Sequence, residues 1–325
     1  MLSFSKKFSV APMMARTDKH FRNLVRIISK HTLLYTEMIP LREVSRQKIT
    51  PKISYDFDEH PLAIQIGGIN NKELKKAAIY SENLGFKEIN LNCGCPSPRV
   101  TSGHFGACLL LDPHIVADAV ATLNSTVNIP ITVKTRIGVD DYEDDRVLDN
   151  FINVVKSAGC KLFIIHARKA YLSGFSPKQN LTIPPLDYEK VLRIKKNHND
   201  IKIILNGGIT SIKHASNLLK LFDGVMLGRA AYNNPLILKD VDRIIYEENG
   251  LSSKVSVKEI VDRYIEYMQI QNSLGVPISK MVIHASNLVS NKKCLSYIIL
   301  FGPNKSGKSH LANIWKNNNQ AINDD

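Results

Sequence analysis

The amino-acid sequence predicts an α/β protein, a (β/α)8 TIM barrel followed by a short, truncated helical appendage. Eight short apolar runs recur up to residue 227, and stretches with helical spacing lie between them. Several runs consist almost wholly of Val, Ile and Leu, which is typical of parallel strands buried on both faces. Eight repeats of strand and helix favour a barrel over an open doubly wound sheet. No Gly-x-Gly-x-x-Gly motif opens a helix after a strand, so a dinucleotide-binding Rossmann unit is not supported.

The predicted strands follow one another along the chain at intervals that leave room for a helix. They are Ser9–Met13, Leu33–Ile39, Leu62–Gly67, Glu88–Asn92, Ile131–Thr135, Leu162–His166, Ile201–Leu205 and Gly224–Leu227. Before the fourth strand, Leu74, Ala77, Ala78 and Leu84 recur with helical spacing. The pattern therefore predicts a barrel over residues 1–248.

The sequence changes character after Asn249 and Gly250, where a Ser-rich break separates the barrel from the rest. Ser256 and Glu259 have the spacing of a capping box at the start of a helix. One face of that helix carries apolar residues, namely Val257, Ile260, Val261, Tyr264, Ile265 and Met268. We expect a partial helical domain over residues 253–290 and a separate tail over residues 294–325.

The composition is that of an ordinary globular protein with an excess of basic residues. A net charge of +13 favours a polyanionic partner, although the lysines are spread enough for a generally solvated basic surface to be the alternative. Five scattered cysteines favour free thiols in a reducing compartment, and a Cys-x-Cys pair alone is poor evidence for zinc. No apolar run of about 18 residues and no signal-peptide pattern is present, so we expect a cytoplasmic protein.

The run from Asn90 to Ser97 is the most informative segment. An apolar strand ends there in a Gly-Cys-Pro turn, which places the Cys95 thiol at the carboxyl end of a strand. In a barrel that end carries the active site. The alternative is a buried structural cysteine on a tight turn.

Polar or glycine residues also end the other strands, where folding alone does not require them. A single one is usually a satisfied structural residue, but several converging on one edge indicate a binding site. Glycines after strands seven and eight permit close backbone approach to a phosphate, and Arg229 adds a charged fork. The residues concerned are Gln65, Lys134, His166, Asn206, Gly207, Gly208, Gly228 and Arg229.

Taken together, these motifs resemble the tRNA-dihydrouridine synthases, most closely the A-type subfamily that acts on positions 20 and 20a of the tRNA D-loop. The motifs occur in order over about residues 8 to 240: APMM, LLYTEMI, LAIQIGG, EINLNCGCPS, FGACLL, ITVKTRIG, HARKAYLSGFSPK, IPPLDY, LNGGI and DGVMLGRAAYNNP. The combination of EINLNCGCPS with HARKAYLSGFSPK is highly specific for this family.

The resemblance implies an FMN-dependent enzyme that reduces uridine in tRNA to dihydrouridine with NADPH, or NADH, as reductant. It implies that Cys95 is the catalytic acid and that Asn92 and Lys178 contact tRNA. It also implies a set of FMN contacts: Pro12, Met13, Met14, Lys134 and His166 at the flavin, Gln65 at its pyrimidine edge, and Asn206, Gly207, Gly208, Gly228 and Arg229 at the phosphate. Cys93 should point the other way on an extended strand and act as a packing residue. A monomer without a metal suffices for this chemistry.

The chain departs from the family in two places. Leu181 stands where the A-type pattern has a basic residue, so one expected tRNA contact is missing. The resemblance fades after about Leu288, and residues 302–309, GPNKSGKS, match a P-loop motif between an apolar run and a helical segment. Only 16 residues follow Ser309, which leaves no room for the rest of an ATPase sheet. We expect this tail to be non-functional.

Three functional hypotheses follow. The first is an active tRNA-dihydrouridine synthase. The second is a flavin-binding remnant that no longer engages tRNA, because its C-terminal domain is altered. The third is an FMN barrel that reduces a small pyrimidine, and the loop from His166 to Lys178 argues against it.

Overall fold

The computed structural model describes residues 5–101, 103–142, 144–247 and 255–288. Its eight strands are β1 Phe8–Val10, β2 Leu34–Pro40, β3 Leu62–Gly67, β4 Ile89–Cys93, β5 Ile131–Arg136, β6 Leu162–His166, β7 Lys202–Asn206 and β8 Gly224–Leu227. Its helices are α1 Lys19–Ile28, α2 Leu41–Val44, α3 Asn71–Asn83, α4 Pro98–Thr101, α5 Pro113–Asn124, α6 Asp145–Ser157, α7 Tyr188–Asn197, α8 Ile212–Leu218, α9 Arg229–Asn233, α10 Val241–Ile244, α11 Val257–Ser273 and α12 Ser279–Ala285.

The eight strands form one parallel sheet that closes on itself. Their order is β1-β8-β7-β6-β5-β4-β3-β2, and each neighbouring pair is parallel. The remaining gap between β1 and β2 is bridged beside Leu33, whose amide donates to the Phe8 carbonyl at 3.1 Å and whose carbonyl accepts from the Val10 amide at 3.0 Å. The predicted TIM barrel is therefore confirmed, with strand limits that differ from the predicted ones by up to three residues.

Side chains alternate along each strand, so one set fills the barrel and the other meets the surrounding helices. An apolar cluster forms much of the interior, and its members are Ala11, Leu33, Tyr35, Ala63, Leu162, Ile164, Ile204 and Met226. Gln65, His166 and Asn206 lie two residues beyond members of this cluster on β3, β6 and β7. They share its phase and therefore face inward at the carboxyl ends of their strands.

Helices α3, α6, α7, α8 and α11 begin at polar side-chain caps. Asn70 caps α3 by accepting from the Glu73 amide at 3.2 Å, and the helix buries Leu74, Ala77 and Ala78, which the spacing predicted. Such caps contribute about 1 kcal/mol each. Each of these caps marks the residue at which its helix starts.

The contacts divide the described chain into two units, one holding residues 5–19 and 31–228, the other holding residues 20–30 and those after 228. In the second unit the Ser256 hydroxyl accepts from the Glu259 amide at 3.1 Å, which is one of the two hydrogen bonds of the predicted capping box. Helix α11 buries the predicted face except Val257, which is only partly buried. The predicted domain limits stay a prediction, and the tail over residues 294–325, with its P-loop motif, lies outside the described residues.

None of the helices in the described ranges combines the length and the apolar character that crossing a bilayer requires.

Candidate active site at the carboxyl ends of the barrel strands

Four inward-facing polar side chains meet at the carboxyl ends of the strands. The Lys134 ammonium on β5 donates to Asn206 Oδ1 on β7 at 3.0 Å. Because β6 lies between those strands, this bond crosses the barrel interior. On the neighbouring strands, Asn92 Nδ2 on β4 donates to Gln65 Oε1 on β3 at 2.9 Å, and Asn92 pairs with Lys134 in the register of β4 and β5. The fold thus brings together residues that are far apart in the sequence.

The turn that carries Cys95 is held from two directions. Asn92 Oδ1 accepts from the Gly94 amide at 3.2 Å and from the Cys95 amide at 3.0 Å. The Cys95 carbonyl accepts from the Ala107 amide at 2.9 Å, and a Cβ on Gly106 would lie 2.5 Å from that carbonyl oxygen. Gly106 also has a φ of +82°. Only glycine fits this close approach, so the second glycine-rich loop fixes the turn.

The two neighbouring thiols differ in their surroundings. Cys93 is 1 % exposed, and burial raises its pKa far above the usual range. Cys95 is partly exposed at the mouth of the barrel. Burial raises the Cys95 pKa as well, while a backbone hydrogen bond at Ser97 and the charges of Arg136 and Lys134 act in the opposite direction. The Cys95 thiol is therefore protonated at neutral pH and has cations beside it.

Lys134 is the cation at the centre of the site. Burial, the largest cause, and the nearby charge of Arg136 together lower its pKa to about 7, against an opposing effect of Cys95. An ammonium with so low a pKa gains most from an anionic ligand, because the ligand's charge offsets the desolvation. The site therefore favours a ligand that places negative charge near Lys134.

A glycine cradle follows β7. Gly207 and Gly208 have φ values of +114° and +68°, a region that other residues adopt only with strain. A Cβ on Gly207 would lie 2.8 Å from the His166 ring, and one on Gly208 would lie 2.3 Å from the Leu186 side chain. Positive φ values and close packing against His166 and Leu186 both require glycine at these two positions.

The end of β8 lies beside the loop after β1. A Cβ on Gly228 would meet Ala11 at 3.8 Å and the Met13 sulfur at 4.0 Å, so Met13 lies across from Gly228. The Met13 amide donates to the Thr17 hydroxyl at 3.0 Å, which fixes the loop. Pro12 is partly buried, and Met14 is 51 % exposed. Arg229 is the next residue after Gly228 and begins the second unit.

Arg136 is a clamp whose role the sequence reasoning missed. Its Nε donates to the Gly94 carbonyl at 2.8 Å, and its Nη1 donates to the carbonyls of Lys169 and Asn180 at 3.0 and 3.1 Å. Burial lowers its pKa to about 10, which leaves it charged at neutral pH. The available signal was its place two residues after Lys134, which puts it on the same face of β5.

Asn180 organises the loop after β6 and was also missed. It is fully buried, its Oδ1 accepts from the Tyr171 amide at 2.7 Å, and its Nδ2 donates to the Tyr171 carbonyl at 2.9 Å. Lys178 lies two residues earlier in this loop and is exposed. Arg136 therefore ties the Cys95 turn to the loop that presents Lys178.

A family profile described as Dihydrouridine synthase (Dus) matches residues 9–298. The chain belongs to the dihydrouridine synthase family. The family resemblance seen in the motifs is thereby confirmed.

Curated relatives agree over most of the chain. A "tRNA-dihydrouridine(20/20a) synthase" of Escherichia coli K12 is 47 % identical over 265 residues, covering 81 % of this chain and 76 % of the relative. The protein of the same name from Vibrio parahaemolyticus is 43 % identical over 291 residues, covering 89 % and 88 %. The one from Synechocystis is 43 % identical over 284 residues, covering 87 % and 84 %.

Solved structures agree with the fold. A 2-naphthoyl-CoA reductase complex superposes with a TM-score of 0.56 at 10 % identity and covers 72 % of this chain and 49 % of the reductase. A histamine dehydrogenase from Rhizobium superposes with a TM-score of 0.50 at 12 % identity and covers 73 % and 45 %. At this identity the likeness shows the fold alone.

Family membership makes the chain an FMN-dependent oxidoreductase, and the residues at the mouth of the barrel fit that cofactor. Gly207 and Gly208 present backbone without side chains after β7, and Lys134 is a buried cation whose lowered pKa favours an anionic ligand. Within the described residues, no group of three or more His, Cys, Asp or Glu has the arrangement of a metal site.

Proposed function

We propose that the chain is a tRNA-dihydrouridine(20/20a) synthase, which reduces the C5=C6 bond of D-loop uridines with NADPH as reductant. The observation that carries the proposal is the Cys95 thiol, held at the barrel mouth within reach of the charges of Lys134 and Arg136. The names of the curated relatives support the substrate.

The FMN residues are those that the family resemblance implies, and Gln65, Lys134, His166 and Asn206 among them lie at or near the carboxyl ends of their strands. Gln65 would meet the pyrimidine edge of the flavin, Lys134 and His166 would contact it, and Pro12, Met13 and Met14 would line it. Asn206, Gly207, Gly208, Gly228 and Arg229 would hold the phosphate. When bound, FMN supplies the hydride that uracil C6 receives.

Cys95 is the proposed acid, and its Sγ gives a proton to uracil C5. A raised pKa keeps the proton on sulfur until it is needed. After transfer the sulfur is negatively charged, and the charges of Arg136 and Lys134 stabilise it. Asn92 sets the position of the thiol by holding the Cys95 amide.

The target uridine lies within a folded tRNA and must leave its stack to reach the site. Unstacking costs a few kcal/mol, which contacts in the pocket and to phosphates offset. Lys178 on the exposed loop, Asn92, and the net charge of +13 suit this role, so binding should weaken as salt rises. We infer a monomer that acts in the cytoplasm, where its tRNA substrate is found.

A single-turnover assay tests the proposal. Purified protein is reduced with NADPH, unmodified tRNA is added, and the flavin spectrum and dihydrouridine content are followed together. Reoxidation of the flavin on adding tRNA, with dihydrouridine formed, is expected. Reduction by NADPH without any response to tRNA would contradict the proposal and favour a flavin-binding remnant. A free pyrimidine nucleoside serves as a control, and a response to it alone would favour a small-molecule reductase.

A further inference from the structure

A continuous series of side-chain hydrogen bonds runs through the barrel interior, from the amino ends of the strands to the active site. We call it the hydrogen-bond relay. Its bonds are Asn92 Nδ2 to Gln65 Oε1 at 2.9 Å, Gln65 Nε2 to Asn90 Oδ1 at 2.7 Å, Asn90 Nδ2 to Thr132 Oγ1 at 2.8 Å, and Thr132 Oγ1 to Glu88 Oε1 at 2.6 Å.

At the amino ends of the strands, Glu88 determines which groups of the relay donate and which accept. This carboxylate is fully buried and forms an ion pair with Lys6. An ionised carboxylate only accepts, so the single hydroxyl hydrogen of Thr132 must point to it. Thr132 Oγ1 is then left as an acceptor, which requires Asn90 to present its Nδ2 and leaves Asn90 Oδ1 for Gln65.

At the active-site end, the hydrogen bonds of Asn92 require the same assignment of donors and acceptors. The amides of Gly94 and Cys95 can only donate, so Asn92 must turn its oxygen to them. Asn92 Nδ2 then faces Gln65 and requires an oxygen there. Both ends therefore require the Gln65 amide to turn its oxygen to Asn92 and its nitrogen to Asn90. The oxygen and nitrogen of an amide are otherwise assigned only from their hydrogen-bond partners.

We propose that Glu88 is a positioning residue, which acts through Thr132 and Asn90 to hold Asn90 Oδ1 against Gln65 Nε2 and so, with Asn92 holding Gln65 Oε1, fixes the position of the Gln65 amide toward the flavin. The proposal rests on the proposed placement of Gln65 at the pyrimidine edge. Asn90 takes one of the two hydrogens on Gln65 Nε2, so the other is available to a ligand. An amide that is held at both its oxygen and its nitrogen presents this donor in one position, which favours binding.

A second donor to Glu88 offers a matched control. The Tyr35 hydroxyl donates to the same Oε1 atom at 2.8 Å but takes no part in the relay. Tyr35 is almost fully buried, as Thr132 is. Removing either hydroxyl takes one hydrogen bond from Glu88, yet only the loss at Thr132 interrupts the path to Gln65.

The experiment titrates FMN into the apoprotein and records the dissociation constant and the visible spectrum of the bound flavin. Thr132→Val removes the relay hydroxyl at nearly constant volume, and Thr132→Ser retains it. Glu88→Gln replaces an acceptor with an amide that also donates. We expect Thr132→Val and Glu88→Gln each to weaken FMN binding about tenfold, which is about 1.4 kcal/mol, and to shift the flavin absorption bands.

Two controls and a double variant sharpen the test. Thr132→Ser and Tyr35→Phe should bind FMN like the wild type and keep its spectrum. Glu88→Gln combined with Thr132→Val should weaken binding no more than either change alone, because both interrupt one path. Additive losses would overturn the proposal, since Glu88 would then act by another route.

Gln65→Leu separates this proposal from the proposed function. If it binds FMN like the wild type, Gln65 does not meet the flavin, and both the placement and the role of the relay fail. If it weakens binding while Thr132→Val and Glu88→Gln do not, the placement stands and the role of Glu88 is overturned. Should Glu88→Gln fail to fold because Lys6 loses its partner, the contrast between Thr132→Val and Thr132→Ser alone decides.

Discussion

The interior of the barrel has two walls with different chemistry. The polar wall, on β3 to β5, carries the hydrogen-bond relay, in which each side chain bonds to the next. The apolar wall, on β6 to β8, carries Leu162, Ile164, Ile204 and Met226, with His166 and Asn206 at its carboxyl ends. Apolar contacts stabilise without direction, whereas hydrogen bonds fix orientation. We infer that the apolar wall mainly stabilises the barrel and the polar wall mainly orients the site.

The largest expected effect is at the Cys95 turn, which the polar wall holds. Cys95→Ala should lower the rate of dihydrouridine formation about 10²- to 10⁴-fold, because the proton donor is lost, while bound flavin is retained. A single-turnover assay with reduced enzyme measures the rate. Cys93→Ala, a change two residues away at a buried thiol, should retain most activity. Equal losses of rate from the two changes would contradict the assignment of Cys95 as the proton donor.

The apolar wall should respond in stability rather than in ligand binding. Ile164→Ala creates a cavity in the apolar cluster and should lower the free energy of unfolding by about 2–5 kcal/mol. Urea denaturation of the apoprotein measures this loss. The folded fraction should bind FMN with nearly unchanged affinity. A loss of affinity as large as that of Thr132→Val would break the distinction between the walls.

Arg136, at the end of the polar wall, should affect the use of tRNA more than the binding of FMN. Arg136→Lys keeps a charge but cannot reproduce donation to three carbonyls in two loops. We expect kcat/KM for tRNA to fall about tenfold, the equivalent of one or two hydrogen bonds. Steady-state kinetics measure the change, and FMN titration is the control. Unchanged kinetics would show that the two loops keep their positions without the clamp.

Lys134 joins the two walls through its hydrogen bond to Asn206. The smallest expected effect is a change in the number of protons bound by Lys134 when FMN binds. With a pKa of about 7 it is mostly neutral in the apoprotein at pH 8. An anionic ligand restores the proton, so FMN binding should take up a fraction of a proton and weaken as pH rises above about 7. Calorimetry in buffers of different ionisation enthalpy measures the uptake. Lys134→Met should abolish it, and equal uptake by that variant would contradict the assignment.

The same pKa makes a prediction for stability, with the sign fixed by proton binding. The unfolded chain keeps this lysine protonated up to its ordinary pKa of 10.5, whereas the folded apoprotein releases the proton near pH 7. Between these values the unfolded state binds more protons, so this residue's contribution to stability rises with pH. Urea denaturation at pH 7 and pH 9 tests this, since the difference should shrink in Lys134→Met. A difference of the same size in both proteins would contradict it.

The sequence sufficed for the barrel and for the ring of polar residues at its mouth. Apolar runs such as Leu62–Gly67 mark strands directly, and a residue at the end of a parallel strand must lie at the mouth. The relay could not be predicted, because Asn90 and Thr132 are 42 residues apart and their register is set by the fold. The grouping of residues 20–30 with those after 228 was equally hidden, since packing between distant segments leaves no local pattern.

The Arg136 clamp has a consequence for how this region can change in evolution. All three of its acceptors are main-chain oxygens, contributed by Gly94, Lys169 and Asn180. A mutation at Lys169 alters a side chain and leaves the acceptor in place. The loop can therefore vary the residues it displays to an RNA partner while the attachment to the cysteine turn is inherited unchanged. Leu181, one residue beyond the last acceptor, stands where the A-type pattern has a basic residue, and it is a substitution of the kind that this attachment permits.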